Sequence, residues 1–201
     1  MKKITIALIM VISLITPIQT MAESVTQTGT IIEPLEQNIE QIIDEIISEP
    51  RPINSDAIQN VKEYISEYFG NLGYDKIEYQ KFEYNDENNE NAIRHSSQAD
   101  VFLASTAKNA IVDGIGENII VTKNSSIDTT KNLIISAHYD SAEDSIGAND
   151  NGSGVAAVLE LARILKDTEM PYNVKFILFS GEEKYMLGSR WYVGKLTEDE
   201  R

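Results

Sequence analysis

LIISAHYDSAEDSIGANDNGSGVAAVLELARILKDTEMPYNVKFILFSGEEKYMLG, residues 133–188, is the stretch that decides the fold. Leu133, Ile134 and Ile135 make an apolar strand, followed by the polar turn His138-Tyr139-Asp140-Ser141 and a Gly/Asn/Asp loop from Gly147 to Gly154. From Val155 to about Lys166, the residues Val155, Val158, Leu159, Ala162 and Leu165 recur at helical spacing, with Gly152-Ser153-Gly154 as a tight entry turn. A second strand, Val174 to Phe179, ends in Ser180-Gly181-Glu182-Glu183. Strand, helix and strand with short connections form a βαβ unit, whose crossover is right-handed and whose strands are parallel. Both strands therefore finish on one edge of the sheet.

Open parallel sheets bind ligands at that carboxyl edge. Here it would gather His138, Asp140, Asp150, Glu182 and Glu183, which are far apart in sequence. One imidazole among carboxylates, with no cysteine, is a nitrogen and oxygen donor set suited to zinc, manganese or cobalt. Glu182 and Glu183, read as extended, point in different directions, so one can bind while the other serves as general base and acid beside a metal-bound water. Each residue taken singly has a plainer reading: a solvated strand end for the glutamates, turn chemistry for Asn149-Asp150-Asn151-Gly152, a hydrogen-bonded strand-end histidine for His138. The gathering is the signal.

Other chemistries fit less well. The ligand alternation and terminal glutamate of an EF-hand are missing, and the glycine-rich loop lacks the Gly-Lys-Ser/Thr ending of a P-loop. No Gly-x-Ser-x-Gly elbow surrounds Ser153 or Ser189, and His-Glu-x-x-His does not occur.

Ala137-His138-Tyr139-Asp140-Ser141, Gly147 to Val155, and Phe179-Ser180-Gly181-Glu182-Glu183 with Leu187-Gly188-Ser189-Arg190 closely resemble the secreted co-catalytic dizinc aminopeptidases, the family of bacterial leucyl aminopeptidases and aminopeptidase Y. The resemblance is dense from about Asn118 to Val193 and loose before it. It implies His138 as ligand of one zinc, Asp150 as the bridging carboxylate, Glu183 as ligand of the other zinc, Glu182 as general base and Asp140 as the acid that orients His138. It further implies a non-proline cis peptide after Asp150, and removal of one residue from a peptide's free amino end by metal-activated water. Carboxypeptidase and dipeptidase relatives share these motifs. The implied partners are peptides with a free N-terminus.

The amino end reads as a secretory signal peptide, residues 1–22: Lys2-Lys3, an apolar run from Ile4 to Ile15 too short to span a bilayer comfortably, and Thr20-Met21-Ala22 before Glu23. Extracellular localisation follows as an expectation. The chain carries a net charge of −15, and the leader holds two lysines and no acid, so the remainder is more negative still. Such a surface disfavours nucleic acid and anionic membrane as partners. Without cysteine there are no disulfides, and an extracellular fold must rely on its core and on metal.

Residues 23–34 read as a flexible, Thr/Ser/Gln-rich lead. Residues 35–48 should form an amphipathic helix on Leu35, Ile39, Ile42, Ile43, Ile46 and Ile47, ended by Glu49-Pro50-Arg51-Pro52. Ser55 should cap a second helix carrying Ile58, Val61, Ile65, Tyr68 and Leu72, closed by Gly73. Lys76 to Tyr84 alternates imperfectly, as an edge strand does, and the acidic, Asn-rich run from Asn85 to Ala92 is a loop, with His95 a solvated histidine beyond it. Val101-Phe102-Leu103 and Asn118 to Val121 are further apolar runs, and Tyr185 to Leu196 resembles a last helix.

A mixed sheet with a parallel centre is expected. The resemblance makes it the three-layer αβα, α/β architecture of zinc exopeptidases, with residues 35–201 as the N-terminal part of one peptidase domain. Two further ligands of that family, an aspartate and a later histidine, have no match: Asp199 follows Glu183 too closely and no histidine follows His138. The fold would then be incomplete at its C-terminal end, with a sheet edge uncovered. The alternative in another class is a non-catalytic metal-binding or interaction protein on the same scaffold. With those two ligands unmatched, the polypeptide should bind zinc weakly and hydrolyse little, which an aminoacyl nitroanilide assay with added zinc checks; robust turnover free of contaminating peptidase contradicts it.

Overall fold

A computed structural model describes residues 33–85 and 113–198. The leader, the lead through residue 32, His95, the Val101-Leu103 run, most of the Asn-rich loop and Asp199 lie outside the described residues. Two helices come first, α1 (Glu36–Ile46) and α2 (Asp56–Asn71), then strands β1 (Ile77–Tyr84), β2 (Gly114–Lys123) and β3 (Asn132–His138). A single π turn, Ala148–Gly152, runs into α3 (Ser153–Leu165), followed by β4 (Asn173–Phe179) and α4 (Leu187–Lys195). No helix among the described residues is long and apolar enough to cross a membrane.

The strands form one mixed sheet in the order β1-β2-β4-β3, with β1–β2 and β2–β4 antiparallel and β3–β4 parallel. Among the described residues β1 is an edge, as its sequence suggests. Its alternation is imperfect because its two ends serve different faces: Phe82 and Tyr84 are buried with Ile53 and Leu187, whereas Ile77 packs against the main core on the opposite side. β3 pairs only with β4 among the described residues, and Ile134 on it is 42% exposed.

Period-two alternation along β2 and β4 sorts side chains between two helical layers. Ile119, Val121, Val174, Phe176 and Leu178 face the layer of α1, α2 and α3, meeting Ile42, Ile46, Ile58, Val61, Ile65, Phe69, Val155, Val158 and Leu159. Ile120 and Ile177 face the other way, onto Tyr192 of α4. Helices on both faces of the sheet make the expected three-layer α/β arrangement. Phe69, Tyr74 and Phe176 meet with ring centroids 5.5–5.8 Å apart and so lock α2 to the sheet. The Ser55 hydroxyl accepts the Ile58 N–H at 3.1 Å, which fixes where α2 begins. Ser153 and Gly154, expected in an entry turn, lie inside α3, and the turn before them is the π turn.

One buried charge ties α3 to the start of α1 within the same helical layer. Glu160 of α3 accepts the Leu35 N–H (2.9 Å), the Asn38 amide (2.5 Å) and two bonds from Arg163 (2.9 and 2.7 Å). Burial pushes the Glu160 pKa up, but these hydrogen bonds outweigh it and hold the carboxyl below its usual range. Its stabilisation is therefore present above the unfolded-state pKa and is lost as pH falls through the folded-state value. Glu160→Gln should cost about 1–3 kcal/mol at neutral pH. The gap to the wild type in urea or thermal unfolding should narrow below about pH 4.5, and a gap independent of pH contradicts the assignment.

Candidate metal centre

The parallel register sets His138 beside Phe179, so both strands end at one edge, and the Tyr139 N–H continues the pairing by donating to the Phe179 carbonyl at 2.9 Å. Past that point the chain turns inward. Asp140 and Ser141 are each 1% exposed. One oxygen of the Asp140 carboxylate accepts the Glu182 N–H and the other accepts the Glu183 N–H, both at 3.1 Å. A single buried carboxylate thus clamps the two ligand-bearing segments together, with charge-assisted bonds that are stronger than neutral ones.

Glu182 and Glu183 are therefore in a turn and not in an extended strand end, because the chain must curl for both N–H groups to reach one carboxylate. Gly181 permits the curl with φ +72, and a Cβ there would sit 2.9 Å from Ile53 Cδ1. The loop then folds back: Met186, Leu187 and Gly188 donate to the carbonyls of Glu182, Gly181 and Ser180 at 2.8, 2.8 and 3.0 Å. Gly188 is required by close approach, since a Cβ would lie 2.4 Å from the Ser180 carbonyl.

Asp150 reaches the same edge from the π turn. Its backbone is non-helical (φ −119, ψ 91), and the Asp150–Asn151 peptide is cis, as the family resemblance implies. Asn151 Oδ1 accepts the Gly154 N–H at 3.1 Å and so seats the start of α3. The Asp150 carboxylate, 75% exposed, meets His138 Nε2 at 2.9 Å. Glu182 Oε2 stands 3.9 Å from the same nitrogen.

The other face of the imidazole is turned to Asp140. Nδ1 lies 3.2 Å from the Asp140 carbonyl oxygen and 3.6 Å from its carboxylate, so the orienting contact is to the backbone, while the carboxylate is engaged with Glu182 and Glu183. The Asp140 carbonyl can only accept, which places a proton on Nδ1, whereas Nε2 faces the Asp150 carboxylate. Burial lowers the His138 pKa, but the carboxylates of Asp140, Glu182 and Asp150 outweigh it and push it up to about 9. The Glu183 carboxyl is raised by burial first and then by Asp150, Asp140 and Glu182, with His138 opposing.

The chemistry of this donor set fits a cation such as zinc. Two ligands on one zinc, at 2.0–2.1 Å and a tetrahedral angle, stand about 3.3 Å apart, and the His138–Asp150 pair at 2.9 Å is a few tenths of an ångström from that. A metal ion replacing the Nε2 proton would leave the Nδ1–H bond to Asp140 intact, the usual support for a ligating histidine. His138, Asp150 and Glu182 are thus brought together with Asp140 behind them. Glu183 shares their electrostatic field without a direct contact, and as arranged no three acidic or histidine side chains among the described residues close around one ion.

Sequence reasoning passed over three residues that build this edge. Asn118, fully buried on β2, accepts the Ser180 N–H at 3.1 Å and donates to the Gly188 carbonyl and Gln80 at 2.9 Å each. Ser141 and Arg51 join the α1–α2 connection to the histidine loop. The available signals were weak: a polar residue opening an apolar run, and a lone cation between two prolines.

Residues 118–200 match Peptidase family M28. Aminopeptidase YwaD of Bacillus subtilis is 42% identical over 92 residues, 45% of this chain and 20% of that protein. A vacuolar membrane protease of Schizosaccharomyces japonicus is 31% identical over 148 residues, 74% of this chain and 16% of that protein. The chain thus spans a fifth or less of these curated relatives. Among solved structures, the zinc aminopeptidase BSAP from Bacillus subtilis superposes with TM-score 0.64 at 19% identity, covering 82% of this chain and 66% of that one. A glutaminyl cyclase from Fimbriiglobus ruber gives TM-score 0.52 at 23% identity, over 74% of this chain and 44% of that one. Both structures share the fold with this chain. The segment that carries the motifs is the segment that matches the family model.

Asp140→Asn should expose what the clamp contributes. An amide presents one acceptor oxygen to two N–H groups and sets its own donors against one of them, so a loss of about 1–3 kcal/mol is expected in thermal or urea unfolding of the metal-free chain. A melting temperature unchanged from wild type would remove the clamp from the account.

Proposed function

We propose that the protein, whose residues 118–200 match Peptidase family M28, is a zinc-dependent exopeptidase that removes residues from the free amino end of peptides. The observation that carries the reading is the meeting of His138 and Asp150 at 2.9 Å, with Glu182 at 3.9 Å, on the carboxyl edge of the β3–β4 pair. His138, Asp150 and Glu183 are the metal-holding residues, two zinc ions making the full complement, and residues 35–201 belong to a single peptidase domain.

Bound zinc supplies Lewis acidity toward the peptide carbonyl and an acidified water. Glu182, partly exposed beside the site, takes the proton of the attacking water and returns it to the departing amine. Asp140 holds the Glu182 and Glu183 backbone in place and fixes the imidazole through its carbonyl. The acidic surroundings favour a substrate's terminal ammonium. The glutaminyl cyclase likeness concerns the fold, whereas the sequence similarity supporting this reading runs to proteins named as peptidases. Export is inferred from the Lys2 to Ala22 leader, with the mature protein acting outside the cell on soluble peptides.

The test is zinc binding by the metal-free chain together with hydrolysis of an aminoacyl 4-nitroanilide and of its N-acetylated counterpart. His138→Ala and Asp150→Ala should abolish zinc binding. Glu182→Gln should retain it and lower the small turnover of the wild type to the background seen in chelator. Turnover that persists in chelator, a Glu182→Gln rate equal to wild type, or equal cleavage of the acetylated substrate rejects the proposal.

A further inference from the structure

Arg51 is fully buried in the short connection between α1 and α2, flanked by Pro50 and Pro52. Its guanidinium ends on the backbones of two separate segments. Nε donates to the Tyr139 carbonyl at 2.8 Å, one residue past His138. Nη1 donates to the Ile146 carbonyl and Nη2 to the Gly147 carbonyl at 3.0 Å, just before the turn that carries Asp150. The Arg51 backbone adds a second clasp: its N–H donates to Ser141 Oγ at 2.9 Å and its carbonyl accepts the Ser141 N–H at 3.3 Å.

We propose that Arg51 is a positioning residue of the metal centre, its planar fork setting the separation between the segment that presents His138 and the segment that presents Asp150. The inference rests on the metal reading above and extends it to a residue from outside the βαβ unit.

A buried guanidinium is a poor choice for filling space. Desolvating it costs several kcal/mol, and apolar residues of similar volume pack a core as well or better. What it supplies is a rigid set of divergent donors, which a lysine cannot reproduce with one compact ammonium. Three of those donors reach three backbone carbonyls drawn from both loops. The fit is close: Gly147 has φ +57, and a Cβ there would lie 2.5 Å from the Asp150 carbonyl, 2.7 Å from Ser141 Cβ and 3.2 Å from Arg51 Nη2. The Gly152 N–H closes the π turn onto the Gly147 carbonyl at 2.9 Å, the same oxygen that Arg51 grips. Movement of the guanidinium therefore passes directly to the turn that holds Asp150. Asp140 and Glu183 act on Arg51 through their charge, so it is also a fixed cation behind an acidic site.

Arg51→Lys keeps the charge and removes the fork, which separates positioning from electrostatics. In the full chain, zinc affinity is read by competition with a chromophoric chelator and loop order by amide hydrogen exchange of the metal-free protein. Arg51→Lys should fold, bind zinc at least fivefold more weakly, within the 10–100-fold range usual for groups that support ligands, and exchange the Gly152 amide faster. Glu160→Gln, destabilised far from the site, should bind zinc within twofold of wild type. Less than a fivefold loss in Arg51→Lys, or an equal loss in Glu160→Gln, overturns the inference. Should Arg51→Lys not fold, Ser141→Ala carries the same test with the same threshold. Wild-type zinc binding no tighter than that of His138→Ala overturns the metal reading instead; Gly152 exchange then decides Arg51 alone, and an unchanged rate overturns its role.

Discussion

The carboxylate of Asp140 is the contact on which the site depends. Parallel pairing of β3 with β4 brings two strand ends to one edge, but it stops at His138 and Phe179 and says nothing about the loops beyond. Asp140 bridges that gap by taking the N–H groups of Glu182 and Glu183 on its two oxygens, while its own carbonyl faces the His138 ring. Imidazole, general-base candidate and second glutamate are thereby referred to one buried residue. Because the bonds go to backbone, both glutamate side chains remain free for chemistry.

Charge is what makes such a construction suited to a cation. Asp140, Asp150 and Glu182 surround one imidazole and push its pKa up to about 9, while burial and the neighbouring carboxylates raise that of Glu183. Like charges held close together are costly unless opposite charge compensates. In the metal-free chain the compensation comes from the imidazolium and from Arg51 behind it. A divalent ion in the place of the Nε2 proton relieves the same repulsion with more charge, so the arrangement that looks frustrated alone is suited to metal.

The supporting frame is recruited from distant parts of the chain. Asn118 on β2 holds both ends of the glutamate loop through Ser180 and Gly188, and Arg51 between the first two helices holds both ligand loops. Each uses several directional bonds to backbone, which is how a loop acquires the definition that strands and helices have from their own ladders. Glycine positions complete the frame where neighbouring atoms leave no room for a Cβ, as at Gly147 and Gly188.

Much of this was legible in the residues themselves. Helical spacing in α1, α2 and α3 and apolar runs in β3 and β4 express local periodicity, and the βαβ rule then requires a shared edge, so the sequence assigns His138, Asp140, Asp150, Glu182 and Glu183 to it together. Tertiary structure alone decided the rest. The antiparallel placement of β2 beside β4, the curl that turns Glu182 and Glu183 toward Asp140, and the burial of Arg51 against Tyr139 and Gly147 all join residues separated by tens of positions. Periodicity records which face of an element is apolar, whereas a hydrogen bond between a side chain and a remote carbonyl leaves no repeat in the sequence. Its partner exists only once the chain has packed.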